Sequence, residues 1–138
     1  MFNIGLVGGM PAPDSIRRTI ADALALVATD IVRVSRTSRF NSFATCKQND
    51  VVLVKDADAV YAGQVQMHFE ANGVPVSMID MWELHSYTDV DVGYAIWKNK
   101  GTIAFIDTAL IIDVMTYQVL EGGMVGTILP FDSRASRA

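Results

Sequence analysis

YAGQVQMHFEANGVPVSMIDMWELH, residues 61–85, decides the fold. At its centre Ala71-Asn72-Gly73-Val74 reads as a two-residue type I′ hairpin turn, since Asn-Gly supplies the two positive φ angles that such a turn needs. Fixing the turn fixes the register: Glu70 faces Pro75, His68 faces Ser77 and Gln66 faces Ile79. One face then carries Tyr61, Gly63, Val65, Met67 and Phe69 against Val74, Val76, Met78, Asp80, Trp82 and Leu84. The other carries Ala62, Gln64, Gln66, His68 and Glu70 against Pro75, Ser77, Ile79, Met81, Glu83 and His85. The alternation predicts a core face and a wet face. Asp80 stands out on the apolar side, where a bulge re-aims it, or it caps buried backbone, or it acts as a functional carboxylate.

Outward from the hairpin the pattern stays β. Val51–Lys55 is a β-branched strand. Val92–Lys98, Thr102–Ile106 after the turn signal Asn99-Lys100-Gly101, and Met124–Leu129 after Glu121-Gly122-Gly123 are expected to follow as strands. Residues 109–120 fit helix or strand, and their β-branched content favours strand. Toward the N-terminus, Ile16, Ile20, Ala23, Leu24, Val27 and Ile31 recur at helical spacing behind an Asp14 or Ser15 N-cap, predicting one amphipathic helix over residues 15–29. Met10-Pro-Ala-Pro13 before it is an extended spacer. The expected architecture is therefore mainly β: a small antiparallel barrel or sandwich with one N-terminal amphipathic helix. Residues 1–13 form an extended arm, 14–131 a single β-rich domain, and 132–138 a tail.

Composition narrows the function. The chain has 138 residues, 51% hydrophobic and 19% charged, which excludes a disordered chain. No run of about 18 uncharged apolar residues exists to span a membrane. A single cysteine, Cys46, excludes a disulfide framework and a thiolate metal cluster. Met1–Met10 has no basic n-region, so the expected location is intracellular, cytoplasmic or nuclear. Residues 1–47 carry six basic groups against three acids, while 48–132 carry three lysines against twelve acids. An acidic body argues against nucleic acid as a partner, whereas its basic ends suit contact between copies or with an acidic protein. Arg33, Arg36 and Arg39 form the basic cluster. Its Arg-x-x-Ser spacing fits a phosphate-binding or phosphorylated loop, and its valine and threonine content fits a solvated strand.

Catalytic signatures are missing. His68-x-Glu70 and Glu83-x-His85 look like metal-ligand pairs, but the hairpin register holds them roughly 25 Å apart. Cys46 has no histidine near it in sequence, and no Gly-x-Ser-x-Gly, phosphate loop or dinucleotide fingerprint occurs. No enzyme activity, no metal and no cofactor is expected. For binding, Tyr94 and Trp97 lie outside the hairpin. An outward Trp97 would be an interface anchor and an inward one ordinary core.

The order Asn49-Asp-Val-Val-Leu-Val-Lys55, Val60-Tyr-Ala-Gly-Gln-Val65, then Val76-Ser-Met-Ile-Asp-Met-Trp82 resembles the opening of a bromo-adjacent homology domain or a related SH3-like barrel over residues 48–87. That resemblance implies a non-enzymatic protein-interaction module, often associated with chromatin. Glu83-Leu-His-Ser86 departs from the continuation usual after that tryptophan, and no ligand-binding residues carry over. The function expected is a non-catalytic protein–protein interaction module of a β-barrel type. The alternative is a self-assembling structural subunit, a homo-oligomer or part of a larger complex. The candidate binding residues are Trp97, Tyr94, Arg33, Arg36 and Arg39.

Overall fold

The computed structural model describes residues 4–24, 32–71, 73–89 and 93–128. Asn72, half of the turn signal, lies outside the described residues, as do 25–29 of the expected helix and the tail. In chain order the elements are β1 (Gly5–Val7), β2 (Met10–Pro11), α1 (Asp14–Leu24), β3 (Val32–Ser35), β4 (Thr37–Arg39), β5 (Thr45–Lys47), β6 (Val51–Asp56), β7 (Ala59–Ala71), β8 (Val74–Asp89), β9 (Tyr94–Asp107), β10 (Ile111–Met115), β11 (Tyr117–Val119) and β12 (Met124–Ile128). The fold is mainly β, antiparallel throughout its paired strands, with one helix near the N-terminus.

The larger sheet runs β10-β6-β7-β8-β9-β12-β11, with β3 and β2 added beside β7. Its two ends, β10 and β11, are separated in sequence by Thr116 alone. A single run, Ile111–Val119, thus pairs with β6 through its first half and with β12 through its second. The Ile128 amide donates to the Thr116 carbonyl at 3.4 Å at the junction. A sheet whose two edges are one run must curl, and the core confirms it. Met115 from one end and Val125 from β12, next to the other end, pack into one cluster with Val51, Leu53, Ala62, Trp82, Ala95 and Trp97. This barrel-like curl is filled by side chains.

The central hairpin keeps the expected register near its turn, with Glu70 opposite Pro75 and His68 opposite Ser77. Gly73 sits at φ 85°, as the turn requires. Further down, Gln66 is bulged out, so Val65 rather than Gln66 faces Ile79. One extra residue swaps the faces. On one side of the sheet Met67 and Phe69 continue the barrel's inner face, where α1 covers them through Ile20. On the other, Val65 and Ile79 join Val52, Val54 and Ile111 beneath Phe40 and Cys46. The expected wet face is therefore wrong around His68, Ser77 and Ile79, all fully buried. A separate three-stranded sheet, β1-β4-β5, supplies the cover.

A second correction concerns Asn99-Lys100-Gly101. No turn forms there. β9 continues straight through, and Trp82 pairs with Asn99 while Met81 pairs with Thr102. Lys100 and Gly101 bulge out instead, with Gly101 at φ 68° and its amide donating to Asn99 Oδ1 at 2.7 Å. The segment after Asp107 is one 3₁₀ turn, capped by the Asp107 carboxylate on the Ala109 amide, followed by strand. Asp80 is neither bulged nor a backbone cap. Its Oδ2 accepts from Asn99 Nδ2 at 3.2 Å, while its Oδ1 is buried without a hydrogen-bond partner, as is Trp82 Nε1.

Candidate interaction surface

Of the five candidate binding residues, the structure brings three together and separates two. Trp97 is 1% exposed, and its Nε1 donates to Thr127 Oγ1 at 2.7 Å inside the barrel. It is core, so the interface-anchor reading is withdrawn for it. Ala95 and Trp97 point inward, which turns Tyr94 and Ile96 to the other face. There Tyr94 lies half-buried across Gly126, in space a Cβ would occupy. Such an aromatic over a strand glycine is a packing device.

Arg33, Arg36 and Arg39 are all exposed and belong to the crossing from the large sheet to the small one. Ser35 pins this crossing: its Oγ donates to the Val7 carbonyl at 2.6 Å and accepts from the Thr37 amide at 3.2 Å. Arg33 is held against the Gly9 carbonyl by its guanidinium. Beyond it β4 and β5 form a hairpin with Ser38 opposite Cys46 and a closing bond from the Phe40 amide to the Ala44 carbonyl at 3.2 Å. At its tip Asn41 Oδ1 accepts from the Phe43 amide at 2.8 Å. Phe40 and Phe43 then divide the roles. Phe40 anchors the hairpin in the core, whereas Phe43 is 98% exposed. Sequence reasoning passed over Phe43. The signal was present as Phe40-Asn-Ser-Phe43, a turn dipeptide with an aromatic on each side, of which one faces inward and the other outward.

Two clefts lie against α1. A cleft of about 460 Å³ is floored by Met67, Phe69, Met78 and Phe105 and walled by Ile16 and Ile20 of the helix. A second of about 480 Å³ lies on the other side of Ile16, lined by Met10, Pro13, Val34 and Arg36 among others.

The buried side of the hairpin also assembles a group that the sequence scattered. Cys46 Sγ lies 3.5 Å from His68 Nε2, His68 Nδ1 is 2.7 Å from Ser77 Oγ, and Ser77 Oγ is 2.7 Å from Thr108 Oγ1. A thiol, an imidazole and an orienting hydroxyl in line have the outline of a nucleophilic site. Their chemistry runs the other way. Burial, helped by Asp50, pushes the Cys46 thiol up to about 12. Burial lowers His68 to about 4, against the opposing pull of the Cys46 backbone and Asp50. An active pair needs thiolate and accessible imidazolium, and here both groups are neutral and sealed. Because either hydroxyl donates or accepts, the chain is satisfied whichever ring nitrogen bears the proton. It is a buried polar network that fastens β5, β7, β8 and the 3₁₀ turn together.

Among the described residues no three His, Cys, Asp or Glu side chains converge as metal ligands, and no helix is long and apolar enough to cross a membrane. No family model, curated protein or solved structure matches this chain.

Proposed function

We propose that this chain is a non-catalytic protein-interaction module built on a small antiparallel barrel, the role implied by its resemblance to bromo-adjacent homology and SH3-like domains. One observation carries the reading: a fully presented phenylalanine, Phe43, on a hydrogen-bonded turn flanked by Arg39 and Lys47. Leaving a large aromatic in water gains nothing for folding. On a pinned hairpin it loses little entropy when a partner covers it, which is how interface anchors act. Two filled tryptophan positions leave the barrel interior to packing, and the clefts beside α1 offer a second apolar contact. The partner is protein: three exposed cations on an acidic chain are poor equipment for a phosphate backbone. A single reduced, buried cysteine suits an intracellular setting.

A photo-crosslinking residue in place of Ser42 tests this in cell extract. Adducts of defined mass are expected, and Phe43→Ser should abolish them while leaving the unfolding free energy within about 1 kcal/mol of the parent. Adducts that persist unchanged without Phe43, or none at all, would end the reading.

A further inference from the structure

Two strand edges of this fold are blunted. β2 ends on Pro11, which has no amide hydrogen to donate, and β5 is three residues long and ends on Lys47. The second half of β9 has no such device. β12 pairs with β9 from Tyr94 to Lys98 and goes no further, whereas β8 pairs with it as far as Asp107. Past the bulge at Lys100 and Gly101, Thr102–Ile106 therefore has β8 on one side. Among the described residues no backbone hydrogen bond reaches its other side. Every second residue of that run turns its N–H and C=O away from β8. The run, Thr102-Ile-Ala-Phe-Ile106, contains no charge, proline or glycine, and Ile103 is 47% exposed. Only an extended backbone matches such a row of donors and acceptors, so an open apolar edge is a template for another strand.

We propose that the strand completing this edge is the same run of a second copy, paired antiparallel about Ala104. Register selects this occupant. When two strands continue one sheet about a two-fold axis, residues opposite one another share a face. Ile103 and Phe105 lie on the face of Asp80 and Met78, and Thr102, Ala104 and Ile106 on that of Met81 and Ile79. With Ala104 opposite Ala104, Ile103 faces Phe105 of the other copy and Thr102 faces Ile106. Apolar residues then meet on both faces, and the smallest side chain of the run sits on the axis. A shift that puts Phe105 on the axis sets Ile103 against Asp107, an apolar side chain against a carboxylate. The run is thus its own complement in one register. The flanking charges are engaged within the chain: Lys100 binds Glu83 at 2.7 Å, and Asp107 caps the Ala109 amide. The contact is therefore apolar and main-chain in character. Being isologous, it closes as a dimer, with both α1 helices on one face of a continuous sheet. Ile103 of each copy comes to lie at the margin of the cleft that Phe105 of the other helps to floor. Phe43 takes no part, so this pairing stands apart from the interaction-module reading.

The test uses the full chain. Light scattering over a concentration series should show monomer passing to dimer and no further, with a midpoint that moves less than about threefold between low and high salt. Ile103→Lys puts a cation on the edge at an exposed position. It should leave circular dichroism and melting unchanged and push dimerisation to a concentration about tenfold higher or more. Ala104→Cys should form a disulfide-linked dimer under mild oxidation, because directly opposed residues lie within the about 4.4–6.8 Å between Cα atoms that a disulfide spans. Ile103→Cys, diagonal to itself at about 7–8 Å, should not. Cys46 is buried and adds no background. A chain monomeric at every concentration overturns the proposal. So does a dimer indifferent to Ile103→Lys, or one that crosslinks through Ile103→Cys in preference to Ala104→Cys. A dimer lost on Phe43→Ser would place the contact on the small sheet and overturn the edge pairing as well.

Discussion

His68 shows how much one side chain can settle. Its folded pKa is lowered, to about 4, so the native state favours the neutral ring. The stability this contributes is complete above the ordinary value of 6.5 and is lost as pH falls from 6.5 to about 4. Over that interval the loss should approach about 3 kcal/mol. The Cys46 thiol works at the other extreme: with its pKa raised, its contribution holds below 9.0 and disappears as pH climbs toward 12. Urea midpoints measured from pH 4 to 8 should therefore rise steadily and level off near neutrality. His68→Phe should flatten the acid limb, and an unflattened limb would assign it to other groups. Cys46 should also resist thiol reagents until the protein unfolds, a reactivity that a stopped-flow assay reads directly. At Trp97, truncation to Ala removes an inward indole and strands Thr127. The expected cost is about 3–5 kcal/mol by chemical denaturation.

Among the elements, the β7–β8 hairpin was legible from sequence because its turn carries its own instruction. Gly73 sits at φ 85°, so Gly73→Val, with a β-branched side chain there, should destabilise the chain by about 1–3 kcal/mol. Thermal melting checks it, and an unchanged midpoint would mean the turn tolerates another geometry. Past the turn the reading failed at Gln66 for a physical reason. A bulge has no signature when the bulged residue is a polar one between two apolar ones, which is also what regular alternation looks like. The same ambiguity hid the burial of His68 and Ser77. Their polarity predicts water, but their outer partners are far off in sequence: Cys46, brought in by the small sheet, and Thr108, on the 3₁₀ turn after β9. Asn99-Lys100-Gly101 misled in the opposite sense, since a glycine at positive φ serves a bulge as well as a turn. Arg33, Arg36 and Arg39 were picked out as candidates by counting charge, and Phe43 was passed over because counting charge does not see it.

The whole molecule is two sheets sharing one polar seam. Folding of the barrel depends on Ile111–Val119 serving both edges, so lengthening that run should be felt throughout. Two glycines inserted between Thr116 and Tyr117 should lower the denaturation midpoint and shift tryptophan emission to the red, because Trp82 and Trp97 are both interior. Fluorescence and circular dichroism should change in one transition. A fluorescence change that leaves the midpoint untouched would show that the edges are held independently. The small sheet is a different case. It leans on the large sheet through Phe40, Cys46 and the His68 network, and it carries the Phe43 turn, so the packed core and the proposed contact residue belong to separate pieces of structure.

The run that closes the barrel also has a mechanical meaning. An open sheet frays from its outermost strand, one hydrogen bond at a time. Here the outermost strand at one end is continuous with that at the other, so a pull that peels Ile111–Met115 from β6 drags Tyr117–Val119 against β12. Under load the two edges should therefore give way together, as a single force step when the chain is stretched between its ends, whereas two separate steps would show each edge released by itself.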